Sequence, residues 1–252
     1  MHADLLYVEN LTVSFDGFHA LDGISLRLQP KSIRVLIGPN GAGKSTLLDA
    51  IIGYVRPTSG KVIFQGQEIT HKPEYKIVRS GICRKFQTPG VLENLTVLEN
   101  LQLAARKHRE CWRSFTAGLT PKTRSRVDTV LMRIGLQEKR HALAGHLAHG
   151  QKQWLEIGMV VASDAELLLL DEPAAGMSHD ESEQTAALIR EFSKEHSILV
   201  IDHDMNFVAQ LDAPVSVMHM GKMLREGTLQ EIRNDPQVAA VYLGRVKEAH
   251  VA

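Results

Sequence analysis

The stretch Gly38-Pro39-Asn40-Gly41-Ala42-Gly43-Lys44-Ser45-Thr46 contains the pattern G-x-x-x-x-G-K-[ST]. It follows a short apolar run, Ile33, Val35, Leu36 and Ile37, and precedes apolar residues at helical spacing, Leu47, Leu48, Ile51 and Ile52. A buried strand, a tight loop and a helix are therefore predicted in that order. Glycines let the backbone wrap closely, so that successive N–H groups point inward at phosphate oxygens. The following helix aims the positive end of its dipole at the same place. In such a loop Lys44 reaches the β- and γ-phosphates and the Ser45 hydroxyl ligates Mg²⁺. A glycine-rich turn with an accidental Lys-Ser would not need a strand before it and a helix after it.

Working outward, Leu11, Val13 and Phe15 alternate with polar residues, and Ile24, Leu26 and Leu28 do so after an expected turn at Asp22-Gly23. Downstream, KVIFQGQEI, residues 61–69, reads as a hairpin around Gly66. From Thr96 the period becomes helical. Thr96 and Glu99 make a capping box, and Val97, Leu101 and Ala104 or Ala105 share one face. Val127, Val130, Leu131 and Ile134 repeat the pattern up to Gly135, and Gln151 to Ala162 is a third helix. Residues 93–160 are thus expected to form a helical lobe inserted into an α/β domain. The alternation then resumes with a buried strand at Leu167–Leu170 and a helix capped by Ser178 and Glu181, whose apolar face carries Ala186, Leu188, Ile189 and Phe192. Strands at Ile198–Ile201 and Val215–Met218 complete a predicted parallel sheet, with ligands expected at the carboxyl ends of its strands.

Composition narrows the function. The 252 residues, 44% hydrophobic and 23% charged, suffice for one large domain or one domain with an inserted lobe. Lys+Arg and Asp+Glu both number 29, so the basic excess of a nucleic-acid binder is missing and nucleic acid is not expected as a partner. Cys83 and Cys111 are too few for a disulfide framework or a zinc site. MHADLLYVEN lacks a basic segment followed by an apolar one, so a secretory signal is not expected. The most apolar stretch, Met159–Leu170, is interrupted by Asp164 and Glu166 and is too short to span a bilayer, so any work at a membrane is expected to go through partners.

Three further sites carry chemistry. LLLLDEP, Leu167–Pro173, ends a buried strand in two carboxylates beside the phosphate loop. There Asp171 holds Mg²⁺, through water, and Glu172 orients and polarises an attacking water. His203, in VIDHDM, follows the next strand and is expected along the same sheet edge. Gln87, in RKFQTP, is a weaker signal by itself. His141, His146 and His149 lie on the approach to residues 148–151 without convergent ligands, and Trp154, Leu155 and Met159 are expected to pack the helical lobe.

In order, the chain presents Phe15, the phosphate loop, Gln87, LAHGQ (Leu147–Gln151), the Asp171-Glu172 pair, His203 and the strand-turn-strand HMGKMLREG at 219–227. Across nearly its whole length it resembles the nucleotide-binding subunit of an ATP-binding cassette (ABC) transporter. The resemblance implies an α/β fold with a P-loop NTPase (RecA-like) core, an N-terminal antiparallel β subdomain and an inserted α-helical subdomain. Residues 1–252 would be one ABC ATPase domain with 93–160 as the insertion. It implies ATP and Mg²⁺ as ligands, with Phe15 stacking on adenine and His203 contacting the γ-phosphate. Gln87 would sense the γ-phosphate, Mg²⁺ and water, and connect the site to a membrane subunit. Ala148, His149, Gly150 and Gln151 would cap the nucleotide of an opposite subunit. The expected partners are a second ABC ATPase subunit, identical or related, and transmembrane permease subunits at the cytoplasmic face of the membrane.

The segments SFDGFHAL, GICRKFQTP, HGQKQWLEIGM, DEPAAGMS and VYLGR resemble urea-type subunits within the branched-chain amino acid group. Urea is the leading expectation for the solute and a branched-chain amino acid the alternative. A soluble non-transport ABC ATPase is the alternative of another class; it would usually carry two cassettes, a coiled-coil insertion or a basic face. Two positions depart from the family pattern. Ala148 replaces the Ser of the LSGGQ signature, and losing one hydrogen bond to a charged phosphate is worth about 1.5–3 kcal/mol, or about ten- to a hundredfold in rate. Ser178 stands where many relatives carry Asp. The phosphate-loop assignment predicts that Lys44→Ala loses nucleotide affinity by calorimetry; unchanged binding would remove it.

Overall fold

A computed structural model describes residues 4–85, 90–106 and 119–248. The chain opens with β1 (Leu6–Phe15) and β2 (Phe18–Leu28), in which alternate side chains are buried. They join at Asp16-Gly17, not at Asp22-Gly23 as the alternation suggested. Asp16 and Gly17 hold φ of 47° and 87°, both in the left-handed region that a tight hairpin turn demands. Gly23, at φ 67°, lies inside β2 where its register with β1 slips, and its N–H donates to Thr12 Oγ1 at 3.1 Å.

Next come β3 (Ile33–Ile37), α1 (Lys44–Ile51) and the hairpin of β4 (Ser59–Phe64) and β5 (Gln67–Glu68), which turns at Gln65-Gly66. After α2 (Glu74–Arg79) runs β6 (Ile82–Lys85), a strand that hydrophobic period does not announce because half of its four residues are charged. Helices α3 (Val97–Ala104), α4 (Pro121–Arg133) and α5 (His149–Ala162) follow. Then β7 (Leu167–Asp171), α6 (His179–Phe192), β8 (Ser197–Ile201) and α7 (Met205–Leu211) alternate. The chain closes on β9 (Val215–His219), β10 (Lys222–Gly227), α8 (Leu229–Asn234) and α9 (Pro236–Glu248).

Capping explains where several helices begin. Thr96 with Glu99, and Ser178 with Glu181, exchange side-chain and backbone bonds as predicted, and Thr228 with Glu231 does the same. Each such cap is worth about 1 kcal/mol. Ser178 is therefore occupied as the N-cap of α6.

The strands form two sheets. The antiparallel one has the order β2-β1-β4-β5; the other has the order β10-β9-β3-β8-β7-β6, with only β10 running antiparallel. Side chains of the second sheet divide by parity. Leu167, Leu169, Leu199 and Ile201 join Leu47, Leu48 and the inward residues of the antiparallel sheet in one core. Leu168, Leu170, Ile198 and Val200 join Leu155, Ile189 and Phe207 in the other. Strands buried on both faces need apolar residues at every position, which is why β7 and β8 read as continuous runs.

The topology brings the carboxyl ends of β3, β8, β7 and β6, four consecutive neighbours, to one edge. With strands about 4.8 Å apart, the loop after β3 and the loop after β7 lie about 10 Å apart in the sheet.

The back of the loop after β3 tolerates no side chain at Gly43. Its φ is 101°, and an added Cβ would stand 2.5 Å from the Ala20 carbonyl oxygen and 2.9 Å from Leu21 Cδ2. At Gly41, φ is 79° but nothing lies within 4 Å. Gly43→Ala should destabilise by at least about 2 kcal/mol and Gly41→Ala by about 1 kcal/mol, measured by urea unfolding; equal costs would mean that the packing behind the loop is not what selects glycine.

Candidate functional site

The loop from Gly38 to Gly43 is held from behind. Gly221 donates its N–H to the Ala42 carbonyl at 3.0 Å, and a Cβ on Gly38 would lie 2.3 Å from the Met218 carbonyl oxygen. Ala42 N–H bonds Pro39 O at 3.1 Å, while Asn40 and Gly41 are exposed at the tip. Lys44 starts α1 and folds back, donating from Nζ to the carbonyls of Gly38 at 2.7 Å and Pro39 at 3.1 Å. Ser45 and Thr46, half-buried, occupy the first turn of α1, where helix amides have no intrahelical acceptor. The N-cap residue, Gly43, makes no side-chain capping bond at this helix start, the kind of place where a helix holds an anion.

Asp171 ends β7 at 2% exposure. Burial pushes its carboxyl above the ordinary aspartate range, opposed by the Arg84 guanidinium, and the charges of Glu172 and Lys44 also act on it. That places Glu172 and the loop lysine within charge range of Asp171. Arg84 Nη2 lies 3.2 Å from Asp171 Oδ2, and its Nη1 pairs with Asp49 of α1.

Glu172 takes a left-handed backbone, φ 46°, with its N–H on Ile201 O at 2.8 Å. A non-glycine residue there costs about 1–3 kcal/mol, a strain that the fold must offset elsewhere. The turn leaves the carboxylate half-exposed, 3.3 Å from Nδ1 of His203. His203 is anchored through its backbone: Asp202, 3% exposed, accepts the N–H groups of His203 at 2.7 Å and Asp204 at 3.0 Å on Oδ1. Burial also pushes the Asp202 carboxyl up, those two amides opposing it.

The structure thus brings Lys44, Asp171, Glu172 and His203 to one rim. Gln87 lies outside the described residues. Phe15 ends β1 at 49% exposure, opposite Phe18 at 68%, so two rings stand open at the hairpin tip. Ala148–Gln151 make their hydrogen bonds elsewhere. His149 Nε2 meets the Ala175 carbonyl at 2.9 Å, and Gln151 Oε1 accepts from Ala148 N–H at 3.3 Å and Lys139 Nζ at 2.8 Å. Gly150 packs against the Glu181 side chain, whose Oε1 would stand 2.3 Å from an added Cβ and would have to turn aside. Ala148 is the N-cap of α5 and offers no side-chain acceptor. Trp154, expected to pack the helical lobe, is half-buried against the core that the lobe helices share, and its Nε1 also donates to Thr185 Oγ1 of α6 at 2.9 Å.

Sequence reasoning missed Arg84, Asp49 and Asp202. Asp202 carries a legible signal, an acid closing an apolar strand as Asp171 does. Arg84 and Asp49 carry none, because their meaning comes from strand order. The donors present suit a magnesium triphosphate: loop and helix amides with Lys44 for phosphates, and only oxygen ligands, Ser45 and Asp171, for a hard cation.

The family profile described as "ABC transporter" matches residues 21–175, and one described as "Branched-chain amino acid ATP-binding cassette transporter" matches residues 226–248. The chain is similar to the high-affinity branched-chain amino acid transport ATP-binding protein BraF of Pseudomonas aeruginosa, 37% identical over 97% of this chain and 99% of the relative. It is equally similar to LivG of Escherichia coli, named for the same transport, at 37% with the same coverage. Among solved structures, the ADP conformation of MJ1267, an ATP-binding cassette of an ABC transporter, superposes with a TM-score of 0.85 at 29% identity over 96% of this chain and 99% of that one.

If Glu172 orients the attacking water, Glu172→Gln should retain nucleotide affinity and lower turnover by at least about a hundredfold; a phosphate-release rate equal to wild type would exclude that role.

Proposed function

This chain belongs to the ABC transporter family and is an ATPase of that type; from that premise we propose that it powers an importer for branched-chain amino acids. The observation that carries the solute class is the match of residues 226–248 to the branched-chain amino acid profile. Phosphate loop and acidic pair are common to cassettes of every cargo, whereas this C-terminal stretch lies outside them. BraF and LivG, whose names carry the same solute, agree over the full length. The expectation of urea gains no support from these relatives, so the alternative takes its place.

In this reading Lys44 exchanges the carbonyls of Gly38 and Pro39 for the β- and γ-phosphates. The amides of residues 39–46 surround the same oxygens, and Phe15 stacks on the adenine. Ser45, Asp171 and Gln87 hold Mg²⁺, which when bound neutralises phosphate charge. Glu172 sets the attacking water in line with the γ-phosphorus and polarises it. His203, tied to Glu172 and fixed through Asp202, holds that carboxylate in place and reaches the γ-phosphate. Because Ala148–Gln151 bond away from their own phosphate loop, they are free to cap the nucleotide of a second cassette, so two subunits close over two ATP molecules.

Residues 93–160 act as a lobe that receives the permease. A mostly apolar groove of about 350 Å³, lined in part by Val78, Cys83, Gly90, Ala104 and Met159, lies between β6 and α5 and suits a short helix from a membrane subunit. Burial pushes the Cys83 thiol up, which keeps it uncharged there. No helix among the described residues is long and apolar enough to cross a membrane; in this reading the permeases hold the subunit peripherally at the cytoplasmic face.

The test is reconstitution of the assembled transporter in liposomes with its binding protein. Leucine, isoleucine or valine should stimulate ATP hydrolysis several-fold and urea should not; stimulation by urea alone would overturn the solute assignment.

A further inference from the structure

Adjacent side chains on a strand face opposite ways, and the last two residues of β6 are both cations. Arg84 turns toward α1 and β7, to Asp49 and Asp171. Lys85 turns to the other face and meets Glu156 of α5, Nζ to Oε2 at 3.3 Å. Both partners of this second pair are 5% exposed. The backbone N–H of Gly90 bonds the same Glu156 carboxylate, so one acid of α5 grips the chain on either side of residues 86–89. Burial pushes the Glu156 carboxyl up, with Lys85, Gly90 and the nearby His149 opposing it.

Stability alone is a poor reason for this pair, since a buried ion pair is often no more stabilising than apolar side chains of similar volume. What it supplies is register. Leu155, Ile157, Val160 and Val161 can slide against an apolar sheet at little cost, whereas a buried cation and a buried carboxylate must meet at one position. Glu156 lies two helical turns from His149 at the head of α5. Fixing Glu156 therefore fixes where Ala148–Gln151 stand. Through the peptide between Lys85 and Arg84, the same strand end is tied to Asp171.

We propose that the Lys85–Glu156 pair is a positioning element for hydrolysis, setting the α5 N-terminus relative to the strand that secures Asp171 so that it meets a partner's nucleotide in register. This rests on the reading that Ala148–Gln151 complete a second cassette's site. Neither residue touches nucleotide, so their loss should act on turnover and pairing and leave intrinsic ATP binding unchanged.

The deciding variant is Lys85→Met/Glu156→Leu, which replaces the pair by apolar side chains of similar size. Its melting temperature should match or exceed that of wild type, while Glu156→Leu alone, leaving Lys85 buried and unpaired, should melt lower. ATP affinity of the double variant should stay within about twofold of wild type, while kcat of the assembled transporter falls at least about tenfold and KM changes less than about threefold. ATP-driven pairing, followed by sedimentation in a Glu172→Gln background, should weaken in parallel. A folded double variant with wild-type kcat and pairing would make the ion pair merely structural. Should the double variant not fold, Glu156→Gln, which keeps the shape and the acceptor facing Gly90, reads the same split between kcat and KM. The Glu172→Gln chain itself separates the two readings. No ATP-driven pairing there overturns the two-cassette site and the positioning role together; pairing that survives in the double variant overturns the positioning role alone.

Discussion

A carboxylate buried at the end of a strand has to be balanced, and the arrangement of this rim follows from how Asp171 is balanced. Arg84 comes from the neighbouring strand β6 and reaches both Asp171 and Asp49, so one guanidinium joins the acid of β7 to the helix that follows the phosphate loop. Asp202, one strand over, has the same problem and a different solution, two backbone amides of the loop it precedes. The first arrangement ties Asp171 to the helix that follows the phosphate loop. The second holds His203 where it can reach Glu172.

Parallel strands then do the rest. Because β3, β8, β7 and β6 are consecutive neighbours pointing one way, every loop with chemistry opens on the same edge. Residues 148–151 are the exception. They begin a helix that contacts the loop after Glu172 through His149 and Ala175, with Ala148 and His149 exposed. In the proposed reading these residues serve another subunit's nucleotide, and turnover is then tied to pairing.

Much of this was legible in the sequence for physical reasons. The phosphate loop is readable because backbone geometry demands glycine at fixed places, and Asp171-Glu172 because an apolar run that stops at acids marks a strand end. The capping boxes at Thr96 and Ser178 are local and so appear in the sequence as written. The hairpin turn was misplaced because Asp22-Gly23 and Asp16-Gly17 are both good turn dipeptides, and only the pairing of Phe15 with Phe18 decides between them. Strand β6 and its cations were illegible. Arg84 and Lys85 look like solvated charges until the sheet order places β6 beside β7 and α5. The resemblance reached the cassette family correctly and overreached on the solute, because the residues that select a cargo are not in the nucleotide site.

The central claim is that the glycine loop and the acid at the end of β7 grip one metal triphosphate together. Free Mn²⁺, followed by electron paramagnetic resonance as it is titrated into protein and ATP, tests it most directly. Asp171→Asn should leave metal-free ATP binding intact and weaken Mn²⁺ uptake by the ATP complex at least about tenfold. Mn²⁺ uptake equal to wild type would place the metal away from Asp171 and contradict the account.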